Sequence, residues 1–159
     1  MHLGGKTHRV KADVAIIGGG TAGLNTAMAA AECGASVLIV DKAHIQRSGA
    51  IAGGIDHFMA FMETGESWDT REAYLAYVGK VARGAANLRI HEKVLCDELP
   101  AAMARIEKMG ISLRQEDGSY LRTQALGQPG PYSINFNGQR LKPAMALEVK
   151  RRKCRVLNR

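Results

Sequence analysis

A glycine-rich hexapeptide near the start of the chain has the residue types and spacing that most directly indicate chemistry. It reads Gly18-Gly19-Gly20-Thr21-Ala22-Gly23 and matches the pattern GxGxxG. Gly18 would permit a tight turn, Gly20 lacks a Cβ and so lets a diphosphate approach the backbone, and Gly23 would let a helix pack closely on a sheet. Asp41 follows about 20 positions later, where a carboxylate accepts hydrogen bonds from ribose hydroxyls. The sequence therefore predicts a dinucleotide site.

Three predicted elements would position these residues. Ala12–Ile17 is a β-branched run that predicts a buried strand, and Thr21–Gly34 is alanine-rich, which predicts a helix with glycine at its C-terminus. Ser36–Asp41 predicts a second strand. A strand, helix and strand in about 30 residues form a βαβ unit with parallel strands and a right-handed crossover. We expect an α/β fold with a Rossmann-like domain, in which the phosphates meet the helix N-terminus.

The chain beyond this unit predicts loops and helices. We expect a loop and irregular helical stretch lining a site over Gly49–Gly65, followed by a helix that Ser67 or Asp69 caps. This helix should end near Ala82. A further helical region is expected over Leu88–Met109, with an interruption where Pro100 starts a new helix.

Two dipeptides, Asp117-Gly118 and Asn137-Gly138, predict β-hairpins. The expected strand pairs are Ile111–Arg114 with Tyr120–Arg122 and Tyr132–Phe136 with Gln139–Leu141, joined by a rigid linker at Gln128–Pro131. A helix over Pro143–Arg152 and a strand over Cys154–Asn158 should follow.

The net charge of +7, taken alone, suggests a nucleic-acid partner, but the positive charges are unevenly distributed along the chain. Residues 1–149 carry a net charge of +1, and the other six positive charges lie in the last ten residues. These six are Lys150, Arg151, Arg152, Lys153, Arg155 and Arg159. A short basic end without aromatic residues is typical of a solvated helix end, so we expect no nucleic-acid partner.

The spacing of the cysteines and the distribution of hydrophobic residues indicate which cellular compartment and which bound groups to expect. Cys33, Cys96 and Cys154 are far apart, which favours neither disulfides nor a metal site on this chain. No stretch approaches the roughly 20 apolar residues of a membrane span. The polar start Met1–Lys11 also lacks the apolar stretch of a secretory signal, so we expect a cytoplasmic protein.

NAD and FAD share the glycine fingerprint, and the segment Asp41–Gly54 distinguishes them. It contains an acidic residue and Lys42, then Arg47-Ser48, an alanine and the pair Gly53-Gly54. This stretch resembles the flavin-contacting loop of the succinate dehydrogenase/fumarate reductase flavoprotein family. The resemblance implies FAD as cofactor, with the serine and the glycine backbone against the pyrophosphate and the isoalloxazine edge.

The motif and the resemblance together give a set of predicted cofactor-binding residues. They are Gly18, Gly20, Thr21, Ala22, Gly23, Asp41, Lys42, Arg47, Ser48, Gly49, Ala52, Gly53 and Gly54. Respiratory members of the family carry a histidine after Arg-Ser that attaches covalently to the flavin. This chain has Gly49 there, which implies noncovalent FAD.

Within the family, the chain is most similar to the adenylylsulfate reductase alpha subunits. Arg47-Ser48-Gly49-Ala50 and the hairpin around Ile134–Gly138 carry this resemblance. A polar residue expected a few positions past Gly54 is replaced by Met59, and Asp56 and His57 are introduced nearby. This departure weakens the case for a sulfur-nucleotide substrate.

His57 is the one candidate catalytic residue in the chain, and two interpretations of it stay open. It could lie near the flavin and donate a proton to the substrate, or it could be hydrogen-bonded at the start of a helix. In the resembled family the charged residues that hold the substrate lie later in the chain, beyond Arg159.

The resemblance implies that residues 1–159 are the N-terminal portion of a single FAD-binding domain. Its core would be residues 12–54, with a helical and hairpin segment at 67–142 that begins an inserted α+β segment. The expected function is an FAD-dependent oxidoreductase subunit, which transfers two electrons between FAD and a small polar substrate and exchanges them with an iron–sulfur subunit. Two alternatives remain: a non-catalytic FAD-holding relay subunit, and a flavoprotein that acts on RNA through its basic end.

Overall fold

A computed structural model of the chain describes residues 9–125 and 127–158. Most of the polar start, Leu126 and the basic Arg159 therefore lie outside the described residues. The chain divides into two compact units: residues 9–52 with 145–158, and residues 53–144.

The described residues form the following elements in chain order. They are β1 Val14–Ile17, α1 Thr21–Glu32, β2 Val37–Val40, β3 His57–Met59, α2 Arg71–Val81, α3 Leu88–His91, a π-helix Glu92–Asp97, α4 Leu99–Lys108, β4 Leu121–Thr123, β5 Ser133–Asn135, α5 Leu141–Arg151 and β6 Arg155–Leu157. None of the helices in the described ranges has the length and hydrophobicity that a bilayer crossing requires.

A parallel three-stranded sheet in the order β1-β2-β6 forms the base of the first unit. Val14 pairs with Val37, and Leu38 pairs with Arg155. The central strand β2 is an unbroken apolar run with its first three residues buried, as parallel strands covered on both faces are. The predicted βαβ unit and the predicted last strand are both confirmed, and the last strand joins the same sheet beside β2.

The crossover helix α1 buries a stripe of small and apolar residues. Leu24, Ala27 and Met28 are the buried positions, at the spacing of one helix face. The helix ends at Glu32, and Gly34 has a φ of +83°, the left-handed conformation predicted for the glycine that ends this helix.

An antiparallel sheet in the order β3-β5-β4 forms the second unit together with its helices. Ile134 at the centre of β5 pairs with Phe58 on one side and Arg122 on the other. The predicted hairpins are therefore wrong, because β5 pairs with β3, which is far away in the sequence, and with β4, from which the segment 124–132 separates it. The predicted loop over Gly49–Gly65 is also wrong in part, since it contains β3.

Asp117-Gly118 lies in a tight turn and Asn137-Gly138 does not, and neither dipeptide joins the predicted pair of strands. At Asp117-Gly118, Gln115 N donates to Ser119 O at 2.9 Å, but the preceding Ile111 and Leu113 are buried as core residues. At the second dipeptide, Gly138 N donates to Ile55 O at 2.9 Å, and α5 starts at Leu141. Burial of the flanking apolar side chains outweighed local pairing.

The helices of the second unit largely follow the prediction. The helical region is interrupted before α4, which has a proline in its first turn, although the π-helix was not predicted. The predicted caps of α2 are wrong: Thr70 caps it, accepting from Ala73 N at 3.1 Å. Asp69 is buried and bonded to other parts of the unit.

Asp69 and Arg122 form a buried ion pair in the second unit. The carboxylate accepts hydrogen bonds from Thr64 Oγ1 at 2.7 Å, from Thr64 N at 3.1 Å and from Met62 N at 3.3 Å, and it lies 3.3 Å from Arg122 Nη1. Burial alone would raise the pKa of Asp69, but these hydrogen bonds and the Arg122 charge outweigh it, so the pKa is lowered. The Arg122 guanidinium also donates to Pro131 O and Ala60 O.

We predict that Asp69→Asn lowers the free energy of unfolding by about 3–5 kcal/mol, because it leaves the charge of Arg122 uncompensated. The Asp69 carboxylate stabilises the fold above its unfolded-state pKa of about 3.9, and this contribution is lost as pH falls through the lower folded-state pKa. Urea denaturation of both proteins at several pH values should therefore show a difference that shrinks in acid. Glu116→Gln, which changes an exposed carboxylate, should change stability by less than about 0.5 kcal/mol. Equal stability of Asp69→Asn and the unmodified protein at neutral pH would contradict the prediction.

Candidate functional site

The glycine turn lies between β1 and α1, as predicted. Gly18 has a φ of +100°, which strongly favours glycine, and Gly20 is the N-cap of α1. No side chain of the described residues caps this helix, and its first turn holds no acidic residue. The first-turn amides and the positive end of the helix dipole can therefore bind an anion such as a diphosphate.

Gly23 and Gly20 differ in how much room the surrounding protein leaves for a side chain. A Cβ on Gly23 would lie 2.0 Å from Gly18 O, so the fold itself excludes any side chain there and the prediction of close packing is confirmed. A Cβ on Gly20 would meet only Gly49 Cα at 3.8 Å, which is an ordinary contact. The protein leaves room at Gly20, which fits the predicted approach of a ligand to the backbone.

Asp41 lies at the end of β2 and holds the glycine turn in place. Its Oδ2 accepts a hydrogen bond from Gly19 N at 2.6 Å, and its Oδ1 accepts one from Ala43 N at 2.9 Å. A Cβ on Gly19 would lie 2.7 Å from that same Oδ2 and 2.8 Å from Ile45 Cγ2. Sequence reasoning missed Gly19 because it occupies the variable position of the motif.

The Ser48-Gly49 segment packs against the same turn. Ser48 is buried, and its hydroxyl donates to Gly19 O at 3.2 Å. Gly49 has a φ of +83°, and a Cβ there would lie 2.8 Å from Gly20 Cα. Any side chain at position 49, histidine included, would require this backbone to move.

The remaining predicted cofactor-binding residues of the first unit lie in the first turn of α1 and in the segment that follows β2. Thr21 and Ala22 form the first turn of α1, and Ala52 N donates to Gly49 O at 3.1 Å. Lys42 and Arg47 are exposed in the loop that follows β2. These two cations lie in the loop whose Asp41 and Ser48 contact the glycine turn, which favours an anionic ligand.

The other two predicted residues, Gly53 and Gly54, belong to the second unit. They line a cavity of about 430 Å³ together with Ile55, Asp56 and the segment 136–139. Gly54 has a φ of +105°, and a Cβ on Gly138 would lie 2.3 Å from Ile55 O. Two glycine-containing segments thus meet at backbone distance around this cavity.

His57 and Met59 lie on β3. The predicted position of His57 at a helix start is wrong: it is an exposed strand residue whose Nδ1 lies 2.6 Å from Asp56 Oδ1. Met59 packs against the apolar cluster around Tyr74 and Tyr132, with its sulfur 3.6 Å from Gln128 Nε2. The described residues contain no group of three or more histidine, cysteine, aspartate or glutamate side chains that could hold a metal ion.

The parallel sheet, the glycine turn at a helix N-terminus and the carboxylate at the next strand end define a dinucleotide-binding domain. A family model described as "FAD binding domain" matches residues 13–151. The chain belongs to this FAD-binding domain family, and its cofactor is FAD. The predicted fold class is confirmed as well.

Solved structures of flavoproteins share this fold. Adenylylsulfate reductase from Archaeoglobus fulgidus superposes with a TM-score of 0.76 and 28% sequence identity, over 94% of this chain and 24% of that chain. The Mycobacterium smegmatis Sdh1 complex gives 0.74 and 19%, over 92% and 27%. E. coli quinol fumarate reductase gives 0.72 and 20%, over 92% and 25%.

The chain therefore spans about a quarter of the length of these structures. The two matches below 25% identity show the fold alone. No curated protein sequence matches the chain.

We predict that Gly23→Ala lowers the free energy of unfolding by about 1–3 kcal/mol and weakens FAD binding, because its Cβ would overlap Gly18 O. Gly79→Ala is the matched control: a Cβ at this position in α2 meets only Leu88 methyl groups at 3.7 Å and 3.9 Å. It should raise stability by about 0.5–1 kcal/mol through helix propensity. Thermal denaturation and FAD titration of both variants test this, and an unaffected Gly23→Ala protein would contradict the steric argument.

Proposed function

We propose that this protein is an FAD-dependent oxidoreductase subunit that transfers two electrons between noncovalently bound FAD and a small polar substrate. One observation carries the proposal: a glycine turn opens onto the uncapped N-terminus of α1 and is held by a carboxylate at the end of β2. This arrangement supplies amide donors for the diphosphate and a carboxylate for the ribose.

The chain's own residues would bind and orient the cofactor. The amides around Gly20, Thr21, Ala22 and Gly23 would hold the diphosphate, and Asp41 would accept hydrogen bonds from the ribose hydroxyls. The other contacts are assigned to Gly18, Lys42, Arg47, Ser48, Gly49, Ala52, Gly53 and Gly54. FAD supplies the redox chemistry when it is bound, and the protein supplies orientation and electrostatics.

The shape of the chain at Gly49 supports noncovalent attachment. A histidine is the residue that forms the covalent link in respiratory members of the resembled family. At this position the backbone has a positive φ, and a Cβ would lie only 2.8 Å from Gly20 Cα, so any side chain is disfavoured. An iron–sulfur partner subunit and a cytoplasmic location remain proposals that rest on the sequence.

We predict that the purified protein shows the visible absorption spectrum of oxidised flavin and releases the flavin on acid precipitation. A flavin that stays with the precipitated protein would contradict noncovalent binding. A protein without flavin, which also fails to take up added FAD, would contradict the proposed function. Reduction of the bound flavin by candidate small polar substrates would distinguish the enzyme from a relay subunit, which would bind FAD but whose flavin none of these substrates would reduce.

We also predict that Asp41→Asn weakens FAD binding about 10-fold to 100-fold, because the charged hydrogen bonds that Asp41 accepts are worth roughly 1.5–3 kcal/mol. Titration of the apoprotein with FAD, followed by flavin fluorescence, measures this. Asp13→Asn is the matched control, since Asp13 bonds Ser36 N at 2.8 Å near the opposite ends of β1 and β2. Its FAD affinity should be unchanged; equal losses in both variants would contradict a specific role of Asp41.

A further inference from the structure

Helix α2 and the helical stretch formed by α3 and the π-helix make an antiparallel hairpin within the second unit. At the start of α2, Arg71 Nη1 lies 3.1 Å from Glu92 Oε1 and 2.9 Å from Asp97 Oδ1, both in the π-helix. Near the end of α2, Gly79 lies beside the methyl groups of Leu88 at the start of α3. The hairpin therefore has one end at the connection between α2 and α3.

The connecting residues Lys80–Ile90 are called the hairpin tip. All of them are exposed except its two partly buried alanines, at positions 82 and 86. Arg83 N donates to Lys80 O at 3.2 Å and Gly84 N donates to Gly79 O at 3.3 Å, a bond pattern with which helices often end. Arg83 has a φ of +48°, where glycine is the usual residue. The tip thus holds a cation in a backbone conformation that disfavours side chains.

Three large aliphatic side chains of the hairpin tip face solvent. Val81 is 62% exposed, Ile90 is 59% exposed and Leu88 is 40% exposed. Val94, four residues beyond Ile90, is exposed as well. Large apolar side chains that are exposed together on one segment mark an interaction surface.

The charge of the hairpin tip is entirely positive. Residues 73–91 contain no aspartate or glutamate, whereas the tip carries Lys80, Arg83 and Arg89. None of these three cations forms an ion pair with another residue in the described ranges. Residues 1–149 as a whole carry a net charge of only +1, so the excess of one sign at the tip is local. The complementary partner is therefore anionic.

A lipid bilayer fits this combination of side chains better than a protein partner does. A standard protein interface takes about 20–30 residues on each side and is enriched in aromatic residues and methionine. The hairpin tip has eleven residues and contains neither of these types. At a bilayer surface, aliphatic side chains enter the boundary between headgroups and acyl chains, while lysine and arginine bind anionic headgroups. One narrow end of a helical hairpin is large enough for both contacts.

We propose that the hairpin tip binds the surface of an anionic lipid bilayer. Val81, Leu88 and Ile90 insert at the headgroup boundary, and Lys80, Arg83 and Arg89 contact the anionic headgroups. This binding is peripheral. It goes beyond the proposed function and does not depend on the glycine turn, so a failure of FAD binding and a failure of lipid binding are separate results.

Cosedimentation of the full chain with lipid vesicles tests the proposal. Vesicles of equal parts phosphatidylcholine and phosphatidylglycerol should bind the protein, and added salt should weaken this binding. Vesicles of phosphatidylcholine alone should bind about 100-fold more weakly, since each of the three cations contributes about 5-fold at an anionic surface. Absence of binding to the anionic vesicles, or equal binding to both kinds of vesicle, would overturn the proposal.

Single substitutions of exposed residues then locate the contact. Arg89→Gln should weaken binding to the anionic vesicles about 5-fold. Ile90→Ser should weaken it about 10-fold, because an inserted aliphatic side chain is lost, and Val81→Ser gives a second measure of the same effect. The matched controls are Arg155→Gln, in the basic end outside the tip, and Leu121→Ser, on β4. Both controls should bind like the unmodified protein, and circular dichroism checks that all the variants are folded.

Two patterns among the folded variants would overturn the proposal. Equal losses in the tip variants and in their controls would mean that the contact does not lie at the hairpin tip. A loss with Arg89→Gln but with neither Ile90→Ser nor Val81→Ser would mean that no side chain inserts, which is the behaviour expected of a tip built to meet an acidic protein surface.

Discussion

The hydrogen bond from Gly19 N to the Asp41 carboxylate connects the two halves of the dinucleotide site. Gly19 follows β1, and Asp41 follows β2, so the bond fixes the glycine turn relative to the end of the neighbouring strand. The register of the two strands, which pairs Ile17 with Val40, brings both residues to the same sheet edge. A ligand at the helix N-terminus thus meets amides whose positions the sheet has already set.

Glycine serves two distinct physical purposes in this chain. At Gly23 and Gly138 a Cβ would overlap a backbone oxygen, so these glycines permit protein segments to approach one another. At Gly20 a Cβ would meet only Gly49 Cα at 3.8 Å, so the packing of the protein does not itself require glycine there, which is consistent with the proposed approach of a ligand. The motif pattern treats all of its glycines alike, and only the surrounding atoms separate the packing requirement from the binding requirement.

The sequence predicted the βαβ part of the first unit well because the residues that define it lie close together in sequence. The strand from Val14, the helix from Thr21, the turn between them and the acidic strand end all lie within one short stretch. The second unit was predicted less well, since β5 pairs with β3 from a distant part of the sequence, and with β4 across the segment 124–132 rather than across a turn dipeptide. Asn137-Gly138 favours a hairpin by composition, yet the glycine contacts Ile55, a residue that no local pattern identifies.

Three carboxylates show why residue type alone did not determine function here. Asp13, Asp41 and Asp69 each accept hydrogen bonds from backbone amides of a nearby segment. Asp69 is buried, so its negative charge must be compensated by Arg122, and the carboxylate has a structural role. Asp41 is half-buried at a strand end, and a carboxylate has about four acceptor positions, so its backbone bonds are compatible with ribose hydroxyls. Burial and the position along the strand thus separate a structural carboxylate from one that can also bind a ligand.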